Sequence, residues 1–103
     1  MSKALLTTRE KIFLLLINSS EPISAKEIKS ILKISREKEV YEHITHIFKS
    51  SKRRGYKVII IPAVCKECGF VFNTDKRIKM PSRCPRCKSN KILSPRFYAV
   101  KVV

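Results

Sequence analysis

The first half of the chain places apolar residues with the 3.6-residue period of an α-helix in three consecutive segments. In the first segment, Thr7 and Glu10 have the spacing of a capping box, which predicts that a helix begins at Thr8. The apolar positions of this helix form a face broad enough for burial on most sides. They are Ile12, Phe13, Leu15, Leu16 and Ile17.

The second segment is shorter. Ser24 and Glu27 repeat the capping spacing, and they predict a helix over residues 25–32 or 33. Its inward positions are expected to be Ala25, Ile28, Ile31 and Leu32. Ile23, just before the cap, is expected to begin a short extended pairing.

The third helix is predicted from about residue 36 to residue 52, after a tight turn, with Ser35 as its N-cap. Gly55 is expected to end it, because glycine readily adopts the left-handed conformation that closes a helix. The inward positions that follow the helical period are Val40, Ile44, Ile47, Phe48 and Ser51.

Beyond Gly55 the pattern becomes that of β-strands, over residues 56–61 and 96–103. Three short helices with a tight turn between the second and third, followed by two strands that can pair, describe an α+β winged helix-turn-helix. The predicted organisation has residues 1–64 as the helices and first wing strand, and residues 65–94 as an insertion. Residues 95–103 supply the second wing strand. A hairpin tip tolerates such an insertion.

All four cysteines of the chain lie in the insertion, as two Cys-x-x-Cys pairs separated by fifteen residues: Cys65, Cys68, Cys84 and Cys87. Each pair can cover one edge of a tetrahedron, so the spacing predicts a closed, structural four-thiolate metal site. Zinc is the expected ion, and iron in a rubredoxin-like site has the same ligands. Two disulfides would need an oxidising compartment, and a redox-active pair would need only two of the cysteines. Residues 70–72 are the expected first strand of this ribbon.

The composition points to a polyanionic partner. The formal net charge is +15, from 23 basic and 8 acidic residues, and four thiolates with a divalent ion would leave about +13. Double-stranded DNA is the expected partner, while RNA or a protein partner of the ribbon are alternatives. High charge is also compatible with a role in solubility or thermal stability.

Two sets of residues are the candidate nucleic-acid contacts. In the third helix and the segment after it, the candidates are Lys38, His43, Lys49, Lys52, Arg53, Arg54 and Lys57. In the ribbon, they are Lys76, Arg77, Arg83 and Arg86. Three carboxylates of the third helix oppose this interpretation, because acids near phosphates cost energy. They are Glu37, Glu39 and Glu42.

The sequence also disfavours some classes of protein. No stretch is long and apolar enough to predict a membrane span. The apolar run at residues 12–17 is too short for a secretory signal, so a cytoplasmic protein is expected. No nucleophile–base pair, acidic dyad or glycine-rich phosphate loop is apparent, and no enzymatic activity is expected.

The chain resembles the small archaeal predicted transcriptional regulators that join a winged helix-turn-helix to a rubredoxin-like zinc ribbon. The residues that carry the resemblance are 8–12 (TREKI), 62–72 (PAVCKECGFVF), 81–89 (PSRCPRCKS) and 95–97 (PRF). The resemblance implies DNA binding, and a metal held by Cys65, Cys68, Cys84 and Cys87. A basic RNA- or ribosome-associated module and an iron electron carrier remain the alternative functions.

Overall fold

A computed structural model describes residues 6–73 and 78–102 of the chain. Three α-helices come first, and they are α1 (Thr8–Asn18), α2 (Ala25–Leu32) and α3 (Glu37–Ser50). The strands are β1 (Ile23–Ser24), β2 (Tyr56–Ile61), β3 (Val64–Cys65), β4 (Ile92–Leu93) and β5 (Arg96–Lys101). The architecture is therefore α+β, with three helices, small antiparallel sheets and a four-cysteine ribbon.

The first two helices begin where their capping patterns predict. The Thr7 hydroxyl accepts a hydrogen bond from the backbone N–H of Glu10 at 3.1 Å. At α2 the box is reciprocal: Ser24 Oγ accepts from the N–H of Glu27 at 3.2 Å, and Glu27 Oε1 accepts from the N–H of Ser24 at 2.9 Å. These contacts satisfy N–H groups that have no partner within a helix, which fixes both helix starts.

The start of α3 differs from the prediction. Arg36, not Ser35, occupies the N-cap position, and no side chain caps the helix. Glu37 and Glu39 lie in its first turn, where carboxylates interact favourably with the helix dipole. At the other end, α3 continues into a 3-10 turn (Ser51–Arg54) that stops at Gly55, whose φ is 81°. The predicted stop at Gly55 is confirmed.

The main sheet has the antiparallel order β1-β5-β2. β2 and β5 pair along their whole lengths, from Tyr56 opposite Lys101 to Ile61 opposite Arg96. Because side chains alternate across a strand, Val58 and Phe97 lie on the face packed against the helices. Both predicted strands are confirmed as strands, although β5 ends at Lys101, before Val102, and Val103 lies outside the described residues.

The ribbon contains the second sheet, in which β3 pairs with β4. The prediction of a strand at residues 70–72 is wrong. Val71 forms only an isolated antiparallel bridge, to Val64, through hydrogen bonds from the N–H of Cys65 to the carbonyl of Phe70 at 2.8 Å and from the N–H of Phe72 to the carbonyl of Ala63 at 3.0 Å. The pairing stops at this bridge because the chain turns at once between Cys65 and Gly69, whose N–H donates to the carbonyl of Cys65 at 2.9 Å.

The main core lies between the helices and the sheet, and Phe97 of β5 is fully buried in it. Two predicted core residues are wrong, since Ile31 is 56% exposed and Phe48 is 45% exposed. Tyr41, which sequence periodicity did not select, is 6% exposed and meets Phe97 edge to face at 6.1 Å. Val40, Ile44, Ile47 and Ser51 are buried as predicted, so the inward stripe of α3 differs from the prediction by gaining Tyr41 and losing Phe48.

A smaller core lies inside the ribbon, around Ala63, Cys65, Cys84 and Ile92. The two cores are connected by residues between the cysteine pairs. Ile78 is 6% exposed and belongs to the main core, while Met80 packs against both. The ribbon thus contacts the helical part through side chains as well as through the strands. No helix within the described ranges is long and apolar enough to cross a membrane.

Candidate metal centre and nucleic-acid surface

The two cysteine pairs lie on turns with the same backbone hydrogen bonds. In the first turn, the N–H of Gly69 donates to the carbonyl of Cys65 at 2.9 Å. In the second turn, the N–H of Lys88 donates to the carbonyl of Cys84 at 2.8 Å. Residues 69 and 88 both have positive φ, 81° and 67°. The chain therefore forms two copies of one turn, which bring two pairs of sulfurs together.

The four sulfur atoms form one compact cluster, with all four within 4.8 Å of one another. Cys65 Sγ is 3.5 Å from Cys87 Sγ, and Cys68 Sγ is 3.5 Å from Cys84 Sγ. Four sulfurs at about 2.3 Å from a central ion would be about 3.8 Å apart in a tetrahedron. The cluster thus fits a tetrahedral Zn²⁺, and all four donors are soft sulfur ligands of the kind zinc binds.

Backbone N–H groups point at the sulfurs and stabilise negative charge there. Burial disfavours ionisation of Cys84, but hydrogen bonds from the N–H groups of Cys87 and Arg86, together with those from the Cys68 and Cys87 thiols, outweigh it and lower the pKa to about 6. At Cys65, burial is likewise outweighed by hydrogen bonds from the N–H groups of Cys68 and Glu67 and from the Cys87 and Cys68 thiols, so its pKa is lowered. The first sulfur of each turn is therefore prepared to be a thiolate.

The second sulfur of each turn resists ionisation in the absence of a cation. At Cys87, a hydrogen bond from the N–H of Ser89 lowers the pKa, but desolvation and the neighbouring thiols outweigh it and raise it to about 12. At Cys68, a hydrogen bond from the N–H of Phe70 also lowers the pKa, but burial and the thiols of Cys84 and Cys65 outweigh it and raise the pKa. Four thiolates at this spacing repel one another, and a divalent cation would offset that repulsion.

The cluster is more accessible on one side than on the other. Cys84 and Cys65 are buried, Cys68 is half-buried and Cys87 is exposed. Four protein ligands complete a tetrahedron and leave no open position for a substrate, which is the arrangement of structural zinc sites. The geometry therefore suits an ion that holds the ribbon together.

The predicted contacts on α3 lie on two flanks of the helix. Lys38 and Lys49 are exposed, and Glu42 and His46 lie between them on the same stripe. His43 lies on another flank, where its Nδ1 accepts a hydrogen bond from Arg9 Nε at 3.2 Å. This interaction ties the imidazole to the start of α1, so the three predicted residues do not form a single surface.

Arg54 is engaged within the protein. Its guanidinium donates to both carboxylate oxygens of Glu10, at 2.8 Å and 3.4 Å, and lies 4.3 Å from the centre of the Phe13 ring. Lys52, Arg53 and Lys57 are exposed nearby. Arg54 therefore holds the 3-10 turn against α1, while its three basic neighbours face solvent.

The ribbon contributes the second basic surface. Arg83 and Arg86 are exposed, and the guanidinium of Arg86 lies 5.6 Å from the centre of the Phe70 ring. Lys76 and Arg77 lie outside the described residues. The six-residue strands β2 and β5 separate the ribbon from the 3-10 turn by about 20 Å. The two basic surfaces are therefore at opposite ends of the β2–β5 hairpin.

Some residues of this region were missed by the sequence interpretation. Exposed Lys66, Arg96 and Lys101 extend the basic surfaces, and they could have been found from charge alone. The positions of Ile78 and Met80 between the two cores depend on tertiary packing, so no local pattern signals them.

Comparisons with known proteins match two parts of the chain to two family models. Residues 7–59 match the model described as PF0610-like, N-terminal, and residues 62–101 match the PF0610 rubredoxin-like zinc beta-ribbon domain. The solution NMR structure of protein PF0610 from Pyrococcus furiosus is 38% identical, with a TM-score of 0.76 over 98% of this chain and 93% of that one. No curated protein matches the chain. The chain belongs to the PF0610-like family, with a rubredoxin-like zinc ribbon following the N-terminal domain of that family.

Proposed function

We propose that this protein is a cytoplasmic DNA-binding transcriptional regulator without enzymatic activity. On this proposal the helices and the β2–β5 hairpin act as a winged helix-turn-helix, and the zinc ribbon is inserted in the wing. The order of elements supports it, because α2 and α3 are joined by residues 33–36 and are followed at once by a two-stranded hairpin. α3 is the element such a fold offers to the major groove.

The observation that carries the proposal is the segregation of charge along the chain. The described residues 78–102 include no acidic side chain, whereas they hold seven basic ones. These are Lys79, Arg83, Arg86, Lys88, Lys91, Arg96 and Lys101. Seven cations without an acid in this part of the chain favour phosphate contacts, and a random mixture of charges would not produce such a run.

Several acidic residues are engaged in ion pairs or at helix starts within the protein. Glu10 pairs with Arg54, Glu27 caps α2, and Glu67 lies 3.8 Å from Lys91. Glu37 and Glu39 occupy the first turn of α3. We therefore assign phosphate contacts to the C-terminal part of α3, the exposed cations after it and the ribbon.

Zinc is the metal assigned to the ribbon, with a structural role. The ribbon is too small to fold on its buried apolar residues alone, since its core consists of four small or medium side chains. Iron in the same four thiolates would instead allow electron transfer, and it would give visible thiolate-to-iron absorption. The metal content and visible spectrum of protein made with both metals available distinguish these two roles.

The direct test is fluorescence anisotropy of the zinc-loaded chain with duplex DNA across a salt series. We expect submicromolar binding that weakens steeply with salt. Joint replacement of Lys52 and Arg53 by alanine is expected to reduce the slope of log K against log salt by about 1.8, because each lost phosphate contact removes about 0.9. Lys11→Ala, which removes an exposed charge on α1, is the matched control and should leave the slope unchanged.

An RNA- or ribosome-associated role is the second candidate. It is favoured by the position of the ribbon cations, which lie at the far end of the hairpin from Lys52 and Arg53. A structured RNA in the same experiment separates the two functions. Tighter binding to RNA that depends on Arg83 and Arg86, with duplex binding unaffected by Lys52 and Arg53, would replace the DNA proposal. Weak binding to both nucleic acids would direct attention to a protein partner of the ribbon.

A further inference from the structure

One short segment of the ribbon lies against the helix that the proposed function assigns to DNA. We call residues 78–80 the strap. Ile78 is buried in the main core, and Met80 contacts both that core and the ribbon core. Along the chain, the strap lies between Cys68 and Cys84. The strap is therefore part of a stretch of chain that begins and ends at candidate metal ligands.

The strap forms one wall of a cavity whose other wall is the outward stripe of α3. The cavity has a volume of about 400 Å³, and Ile78 and Lys79 line it on the strap side. On the α3 side it is lined by Lys38, Tyr41, Glu42, Thr45 and His46. An adjoining cavity of about 320 Å³ places Lys79 and Met80 beside Glu37. The strap therefore borders the polar face of α3 and brings a cation to its acidic end.

The closed position of the strap carries an internal cost. The hydroxyl of Tyr41 is buried, and no hydrogen-bond partner is found for it among the described residues. A buried hydroxyl without a partner is destabilising, and contact with water would relieve it. The packing of Ile78 and the closure of the loop by metal oppose this tendency to open.

We propose that the strap couples occupancy of the four-cysteine site to the exposure of the outward face of α3. With metal bound, the two cysteine turns hold the ends of the strap, Ile78 stays in the main core, and Lys79 offsets Glu37 and Glu42. Without metal, the loop between Cys68 and Cys84 has free ends, and the entropy of that loop favours release of the strap. Release exposes Tyr41 and leaves the carboxylates of α3 uncompensated.

The first step of this coupling is independent of the proposed function, and only its effect on DNA rests on that function. If the proposed function holds, the zinc-loaded form is the one that accepts phosphates near α3, since Lys79 is then in place. Loss of zinc would weaken duplex binding through α3 as well as through the ribbon.

The test uses the full chain labelled with 3-fluorotyrosine and observed by ¹⁹F NMR. The protein has three tyrosines, so Tyr→Phe variants assign the three signals. In the zinc-loaded protein, we expect the Tyr41 signal to show almost no shift between H₂O and D₂O. Removal of zinc by a chelator should raise that solvent shift to the value of an exposed tyrosine. Tyr56, which packs on Phe13 at 5.4 Å at the other end of the hairpin, is the internal control and should not change.

A second variant keeps the proposal testable if zinc removal unfolds the whole chain. Ile78→Ala removes the strap anchor and leaves all four cysteines in place. We expect it to retain zinc and to give the exposed Tyr41 signal with zinc bound. Val71→Ala, a change at a 58% exposed residue in the same loop, should give the wild-type signal.

Two results would overturn the coupling: a Tyr41 signal that is identical with and without zinc in the folded chain, or an Ile78→Ala signal identical to wild type. A separate outcome concerns DNA alone. If Tyr41 responds to zinc as expected while duplex affinity does not change, the coupling stands and the assignment of α3 to DNA fails.

Discussion

Lys88 has in the second cysteine turn the left-handed backbone conformation that Gly69 has in the first, with φ values of 67° and 81°. A side chain in this region costs about 1–2 kcal/mol, and glycine is free of that cost. Because glycine also gains freedom in the unfolded chain, Lys88→Gly is expected to stabilise the ribbon by about 0.5–1 kcal/mol. Folding and metal binding are linked in such ribbons, so zinc affinity should rise about 2- to 5-fold in a chelator competition.

The reverse change at the first turn should weaken the ribbon. A methyl group at Gly69 would meet no atom within 4 Å, so the cost of Gly69→Ala comes from backbone conformation alone. We expect about 1 kcal/mol of lost stability, measured as weaker zinc binding in the same competition. Equal affinities for Gly69→Ala and wild type would contradict the equivalence of the two turns.

Removal of one sulfur should unfold the ribbon while the helical part stays folded. Cys84→Ser takes away a fully buried ligand, and a three-sulfur site is expected to lose most of its zinc. The helices keep their own core around Phe97, so the helical circular dichroism signal should persist. Zinc content and circular dichroism of this variant, compared with Ser82→Ala, check the expectation. Full zinc retention would contradict a four-thiolate site.

The contact of Arg54 with Glu10 and Phe13 predicts a stabilising role. The pair is about half exposed, with 49% and 40% of the two side chains accessible, and such ion pairs contribute about 0.2–1 kcal/mol. Stacking on the ring adds a cation–π contribution of similar size. Arg54→Ala should therefore lower the free energy of unfolding by about 1 kcal/mol in urea denaturation. Arg53→Ala, which removes an exposed neighbour, should leave stability unchanged.

A substitution at Tyr41 is expected to increase the stability of the protein. Its burial and, to a lesser extent, the nearby Glu37 raise the pKa of the phenol above its usual range. Because the hydroxyl has no partner among the described residues, Tyr41→Phe removes a destabilising group. We expect an increase of about 1 kcal/mol in the free energy of unfolding, against no change for Tyr56→Phe. A loss of stability in Tyr41→Phe would indicate that the hydroxyl is hydrogen-bonded.

His43 makes stability depend on pH. Burial, followed by the charge of Arg9, lowers the pKa of this imidazole below 6.5 in the folded protein. The unfolded chain therefore binds a proton at a pH where the folded chain does not, and stability should fall as pH decreases through about 6.5. The fall should level off below the pKa of the folded state.

The measurement is urea denaturation between pH 7.5 and 5.5 with excess zinc. The difference between wild type and His43→Gln isolates the contribution of His43 from that of the metal site. His46→Gln, an equivalent change on the exposed stripe of α3, should retain the wild-type decrease. A His43→Gln variant with the full wild-type decrease would exclude His43 as its source.

Local patterns predicted the parts of the fold that local interactions determine. The capping residues Thr7 and Ser24 fixed two helix starts, and the spacing of the cysteines predicted the metal ligands before any geometry was known. The missed features depend on distant residues. Tyr41 is buried because Phe97 approaches it from a strand more than fifty residues away, and Phe48 is exposed because the sheet covers a neighbouring stripe. The periodicity of α3 gives no signal of either the contact with Phe97 or the position of the sheet.

The long insertion in the hairpin has a consequence for how the chain folds. Ile23 pairs with Phe97 and Ile61 pairs with Arg96. The main core therefore cannot be completed until β5 has been synthesised, after the ribbon. Contacts so distant in sequence are slow to form, because a long loop must close first. A ribbon that has already captured its ion brings residues 62 and 95 near each other and shortens the effective length of that loop. The metal would then accelerate the joining of β5 to β2, and a zinc-starved chain would spend longer with the apolar face of its helices uncovered.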